Sequence, residues 1–146
     1  MARILQVPVK PLFPPTPPVR VMLFGEAPGP LGADKSGIPF WGDRAGKPVY
    51  RALEQAGCAE VPVAAYGTWN GEALKMLGLA PVVSGVALSN ACPACPTRDG
   101  QSFRAPSDKE LKDPDNLARL IRELGEGQAR CPGRLRVVAL GRRAAW

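Results

Sequence analysis

The chain is predicted to be an α/β protein of three layers, with helices on both faces of a mostly parallel central sheet. Three observations carry that expectation. Short β-branched, apolar runs recur along the chain, and each ends abruptly at a glycine or a polar pair. Between them lie stretches with apolar residues at helical spacing, opened by capping residues and closed by glycine. Strands that alternate with helices need crossover connections, which build parallel sheets covered on both sides.

The elements follow in order. Residues 8–18 hold six prolines and cannot donate a regular ladder of backbone hydrogen bonds. Residues 1–18 are therefore expected to be an extended, polyproline-like arm on the surface, leading into one α/β domain over residues 19–146. Val19–Phe24 reads as a buried central strand. A long glycine- and proline-rich loop, residues 25–47, follows it. A helix is expected from about Pro48, with Val49, Ala52, Leu53 and Ala56 inward and Gly57 as its stop. A short helix is assigned to Glu72–Leu77, and a second strand to Val82–Leu88, closing at Ser89-Asn90. After another long loop, residues 91–106, the run Ser107-Asp108-Lys109-Glu110 has the pattern of a capping box. Asp113-Pro114 then opens a helix to Leu124, with Leu117, Leu120, Ile121 and Leu124 inward and Arg119 and Arg122 on the wetter side. Gly125 and Gly127 are read as its end. The last strand is Leu135–Leu140. In sheets of this kind ligands bind beyond the carboxyl ends of the strands. Both long loops follow strand ends, so they are expected to form one site.

Composition narrows the chemistry. A length of 146 residues suits one domain with a real core. The 45% hydrophobic and 22% charged content is that of a soluble globular protein. No run is long enough for a membrane helix, and the apolar start is too brief for a signal peptide, so a cytoplasmic monomer with no membrane partner is expected. Histidine is absent, which removes Ser-His-Asp triads, Cys-His pairs and His-ligated zinc. The net charge of +6, weighted to the second half, fits either a polyanionic partner or a merely basic surface. Cys58, Cys92, Cys95 and Cys131 include one Cys-x-x-Cys pair, Cys92/Cys95, and are read as reduced structural thiols with no bound metal.

The first loop carries the chemistry. It reads Gly25-Glu26-Ala27-Pro28-Gly29, then Pro30 to Lys35, then Ser36-Gly37-Ile38-Pro39-Phe40-Trp41-Gly42-Asp43-Arg44-Ala45-Gly46. Its glycines and prolines fix a tight path and allow backbone to approach a ligand. No Gly-Lys-Ser/Thr follows, so it is not a P-loop. These two elements, with Leu88-Ser89-Asn90-Ala91-Cys92 and the loop behind it, resemble the uracil-DNA glycosylase superfamily. The likeness is to the Gly-Glu-x-Pro-Gly branch, whose members often carry an iron–sulfur cluster, and it runs from about Val19 to Gly141.

The resemblance implies a uracil-DNA glycosylase-like fold and a base-excision repair enzyme that hydrolyses the N-glycosidic bond of a flipped deoxyuridine. Phe40 matches the ring that stacks on the base, and Asn90 the amide that reads uracil. An amide offers one donor and one acceptor, as a carbonyl beside a ring N–H requires. Glu26 matches the catalytic carboxylate; Asp34 is a second candidate acid. Backbone groups of Ala27, Pro28 and Gly29 are expected at the substrate, and Arg98 and Arg104 at DNA phosphates. Taken singly, each has an ordinary reading as well: Phe40 as core, Asn90 as a turn residue, Glu26 as an ion-pair partner, Asp34 as a turn or cap, and the arginines as solvated loop cations. Three departures matter. The arm lacks the N-terminal cysteine pair of the iron–sulfur members, so no cluster is expected. Pro30 stands where relatives often place an acid. The family's His-Pro-Ser motif is missing, so the domain is expected to lack its C-terminal strand. A non-catalytic module that binds damaged or single-stranded nucleic acid is the alternative.

Overall fold

The computed structural model describes residues 3–142 and 144. Met1 and Ala2 of the expected arm, and Arg143, Ala145 and Trp146 of the expected domain, lie outside the described residues. Eleven elements follow one another among the described residues: β1 (Val19–Gly25), α1 (Ala33–Ser36), α2 (Gly46–Gln55), β2 (Ala59–Glu60), α3 (Val63–Gly67), α4 (Gly71–Met76), β3 (Val82–Val83), β4 (Gly85–Asn90), α5 (Asp108–Leu111), α6 (Pro114–Ala129) and β5 (Arg136–Ala139). The main sheet has the order β4-β1-β5 and is parallel throughout, with β1 at its centre as its apolar sequence requires. β2 and β3 form a small antiparallel ribbon.

Strand alternation assigns the two faces. Val21 and Leu23 of β1 and Val86 and Leu88 of β4 join the larger core, with Trp41, Tyr50, Leu53 and Leu74. Met22, Phe24 and Ala87 point the other way and meet Leu120 and Leu124 of α6. The chain leaves β1 towards β4 on one side and reaches β5 on the other, so the strand order reverses at the carboxyl end of β1. That is where an open α/β sheet offers its crevice.

The differences from expectation have local causes. The expected second strand is broken after Val83, where Gly85 adopts φ 76° and re-aims the chain from the ribbon into the main sheet. In α2, Tyr50 and Leu53 are buried but Ala52 and Ala56 are exposed. The larger ring takes the inward position and turns the helix with it. α6 runs through Gly125 and Gly127 to Ala129. A Cβ at Gly127 would stand 2.4 Å from Met22 Sδ, so this glycine lets the helix lie against β1 rather than ending it. Pro132 follows just past the observed end. Leu117 and Ile121 are exposed, while Asn116, Glu123 and Gly127 form the buried face.

The arm is strapped to the domain rather than only lying on it. Leu12 and Leu88 exchange N–H···O bonds of 2.9 Å in each direction along the outer edge of β4. Ile4 N donates to Gly100 O and Val9 N to Pro93 O, both at 2.8 Å. The residues between the prolines keep their donors, and Ile4 and Val9 are buried. No helix among the described residues is long and apolar enough to cross a membrane.

Candidate functional site

The site is built where β1 and β4 end side by side. Gly25 is in register with Asn90, and pairing continues past both strands: Ala91 N donates to Gly25 O and Cys92 N to Glu26 O, each at 2.8 Å. The Glu26 backbone is thereby fixed beside that of Asn90 and Cys92. The Glu26 side chain reaches the loop after β5, where a Cβ on Gly141 would meet its Cδ at 2.9 Å.

Phe40 comes back to this point from the long loop. A Cβ on Gly25 would lie 2.4 Å from Phe40 Cε1 and 2.6 Å from Asn90 Oδ1. Only a glycine at position 25 lets the ring and the amide close over the end of β1. Phe40 holds φ 63°, a left-handed conformation that costs a bulky side chain about 1–3 kcal/mol. The surroundings impose it. Its neighbour Trp41 is fully buried, packs edge-on to Tyr50 and Trp69 at 5.0 Å, and donates from Nε1 to Leu79 O at 3.0 Å. Tyr50 Oη donates to Pro39 O at 2.7 Å, and Trp69 Nε1 to Asp43 O at 2.5 Å. The aromatic pair thus divides its work: Trp41 anchors the loop and Phe40 faces Asn90.

Asn90 is only 4% exposed, yet neither Oδ1 nor Nδ2 has a hydrogen-bond partner among the described residues. Buried amides are nearly always satisfied, so this one stands out. Its backbone, by contrast, is firmly held. Arg119 of α6 donates from Nη2 to Asn90 O and to Ala91 O, both at 2.9 Å, and Asn116 Nδ2 also donates to Ala91 O at 2.9 Å. Arg119 was expected on the wetter side of the helix. Its side chain is instead 14% exposed and ion-paired to Glu123 at 2.6 Å. Ser89 Oγ donates to the other oxygen of Glu123. The spacing Asn116, Arg119, Glu123 follows one helical face, a polar stripe that an apolar-only reading of α6 passes over.

The other expected site residues are placed as follows. Asp34 is 4% exposed, and its carboxylate accepts from Leu5 N at 2.8 Å, Gln6 N at 3.0 Å and Lys35 Nζ at 2.7 Å. It ties the arm to the loop. Ala27 is half-buried against Ala91, Cys92 and Leu111, and Pro28 is fully buried. The Gly29 N–H is directed to the Asp43 carboxylate, which also accepts from Ala33 N at 2.8 Å. Sequence reading passed over Asp43 because its role lies in backbone contacts ten and more residues away. Burial pushes the Asp43 carboxyl up to about 6, against the pull of those two amides. Arg98 is exposed and in no ion pair among the described residues. Arg104 makes a two-point contact with Glu110, Nη1 to Oε1 at 2.5 Å and Nη2 to Oε2 at 3.0 Å. Glu110 belongs to the capping box at Ser107 that the sequence announced. Arg104 is the main reason its carboxyl is held down at about 2.

The four cysteines do not come together at one point among the described residues. Among the described residues no three His, Cys, Asp or Glu side chains come together as metal ligands. Cys58 packs against the larger core and Cys131 follows α6, apart from the buried pair Cys92 and Cys95. Burial pushes the Cys95 thiol up to about 12 and raises that of Cys92.

The uracil DNA glycosylase superfamily profile matches residues 13–146, nearly the whole chain. The chain belongs to the uracil DNA glycosylase superfamily. A curated relative, the type-5 uracil-DNA glycosylase of Thermus thermophilus, is 44% identical over 46 residues, which are 32% of this chain and 21% of that protein. The stretch matched is thus about a fifth of the relative's length. The parallel central sheet, accompanied by helices, agrees with the superfamily's fold.

Proposed function

We propose that this superfamily member reads a uracil base flipped out of DNA and hydrolyses its N-glycosidic bond in base-excision repair. The observation that carries the reading is the buried amide of Asn90, unpartnered among the described residues, against the Phe40 ring. Leaving such a group unsatisfied costs about 1–3 kcal/mol. Uracil presents a carbonyl beside a ring N–H and would answer Nδ2 and Oδ1 together. Cytosine presents the opposite pattern at the same edge. Phe40 offers a stacking face for a flat ring.

Cleavage of the bond builds positive charge on the sugar and negative charge on the departing base. Glu26, fixed beside Asn90 by the Cys92 N–H, is the carboxylate we assign to stabilise the sugar or orient water. Asp34 is committed to the arm and Lys35, so we assign it no part in the reacting centre. The Ala27–Gly29 turn would face the base or its phosphates, with Arg98 at the backbone of the strand. Arg104 would act there only by exchanging Glu110 for a phosphate. We assign no step to a metal cluster.

The alternative, a module that binds uracil-containing DNA without turnover, draws on the commitment of Asp34 to the arm and Lys35, which removes one of the two candidate acids. An oligonucleotide with a single deoxyuridine separates the readings after alkaline cleavage of abasic sites. Strand breaks that require uracil and fall at least tenfold in Asn90→Ala support the enzyme. Uracil-dependent binding without breaks selects the module, and neither binding nor breaks refutes both.

A further inference from the structure

We propose that Arg119 is a positioning residue for Asn90, acting through the backbone at the open edge of the sheet; the functional consequence rests on the reading of Asn90 above. β4 is an edge strand. Its outward-facing backbone groups at Leu88 are taken by the arm residue Leu12. Two residues on, Asn90 points its carbonyl to the same side, where the arm has no strand to offer. Arg119 Nη2 fills that place and donates to both Asn90 O and Ala91 O.

The guanidinium is itself locked. Nε and Nη2 donate to Asn116 Oδ1 at 3.1 and 2.9 Å, and Nη1 donates to Glu123. Asn116 is pinned in turn by its own bonds to Ala91 O and Leu111 O, and Glu123 by Ser89. Three of these side chains, Ser89, Asn116 and Glu123, are more than nine-tenths buried. The network holds the carbonyls of Asn90 and Ala91, while the Asn90 amide has no partner among the described residues. A planar fork is needed for this task, since a lysine ammonium cannot reach two carbonyls, an amide and a carboxylate at once.

The test uses Arg119→Lys, which keeps the charge opposite Glu123, with Glu123→Gln as a second variant. The side-chain NH2 resonances of Asn90 in the ¹⁵N-labelled full chain, assigned by their loss in Asn90→Ala, report its placement directly. The indole N–H signals of Trp41 and Trp69 report whether the fold is intact. We expect the Asn90 pair to shift or broaden in both variants with the indole signals unmoved. An unchanged Asn90 pair in a folded variant overturns the proposal, whether or not the chain acts on uracil. Where wild type cleaves uracil-containing DNA, Arg119→Lys should lower cleavage roughly tenfold or more and have no further effect in an Asn90→Ala background. Additive losses would contradict action through Asn90.

Discussion

At the scale of single residues, the centre of the molecule is a contact between three groups: the bare Cα of Gly25, the Phe40 ring and the Asn90 amide. Gly25→Ala should therefore abolish uracil-dependent binding, because the added methyl must displace the ring or the amide. Unchanged binding in a folded Gly25→Ala protein would show that the two side chains do not form one pocket. Asp34 gives a different kind of prediction. Replacing it with Ala leaves Lys35, a buried cation, without its carboxylate and frees two amides of the arm. The cost should be about 3 kcal/mol, read as a lower denaturation midpoint, with new proteolytic cleavage in residues 3–12. A loss of activity with the midpoint unchanged would instead return Asp34 to the chemistry. Phe40 and Asn90 were legible as a pair through their motifs. Their closure over Gly25 was not, because contact across sixty-five residues of chain has no signature in the local pattern.

At the scale of elements, the strands and caps could be read closely, while the inward faces of the helices were legible only in part. Val49 and Leu53 of α2 and Leu120 and Leu124 of α6 turn inward as expected, and Ala52, Ala56, Leu117 and Ile121 do not. β1, the short helix α4 and the capping box of α5 depend on local chemistry: β-branched runs, Asn70 accepting from Ala73 N, and Ser107 trading bonds with Glu110. The buried faces of α2 and α6 depend on what lies opposite. In α6 that is both an apolar face around Met22 and Phe24, met by Leu120 and Leu124, and the Asn90 and Ala91 carbonyls at the end of β4, met by Arg119 and Asn116. The ion pair between Arg104 and Glu110 fixes α5 to the second loop, and it carries a pH signature. The Glu110 carboxyl is lowered from 4.5 to about 2, so its contribution is present above pH 4.5 and is lost as pH falls towards 2. Both side chains are about a third exposed, so the effect is at most about 1 kcal/mol. Glu110→Gln should flatten this part of the acid limb in a pH series of thermal melts. A limb of unchanged steepness would mean that other carboxylates set it.

At the scale of the whole molecule, two tethers decide how the loop of the site is held: the arm through Asp34, and the aromatic cluster through Trp41 and Trp69. Asp43 sits between them and bears on the stability of the whole domain with the opposite sign to Glu110. Its folded carboxyl is raised from 3.8 to about 6, so the folded state holds its proton longer than the unfolded chain does. Stability from this group is full below pH 3.8 and declines as pH rises to about 6. Asp43→Ala should remove that decline while lowering stability overall, which melts between pH 4 and 7 would show. A decline that survives in Asp43→Ala would assign it to another group. The α/β class was legible at this scale because the strand and helix order dictates parallel crossovers. The strapping of the arm was not, since six prolines hide the donors left between them. The central claim is that Asn90 selects the base, and equilibrium binding tests it most directly. The probes are two single-stranded oligonucleotides that differ only in carrying one deoxyuridine or one deoxycytidine, each with a 2′-fluorine that blocks glycosidic cleavage. The account predicts tighter binding of the deoxyuridine strand by about tenfold, equivalent to roughly 1.4 kcal/mol, and loss of that preference in Asn90→Ala. Equal binding of both strands by the wild-type chain, or a preference that persists in Asn90→Ala, would contradict it.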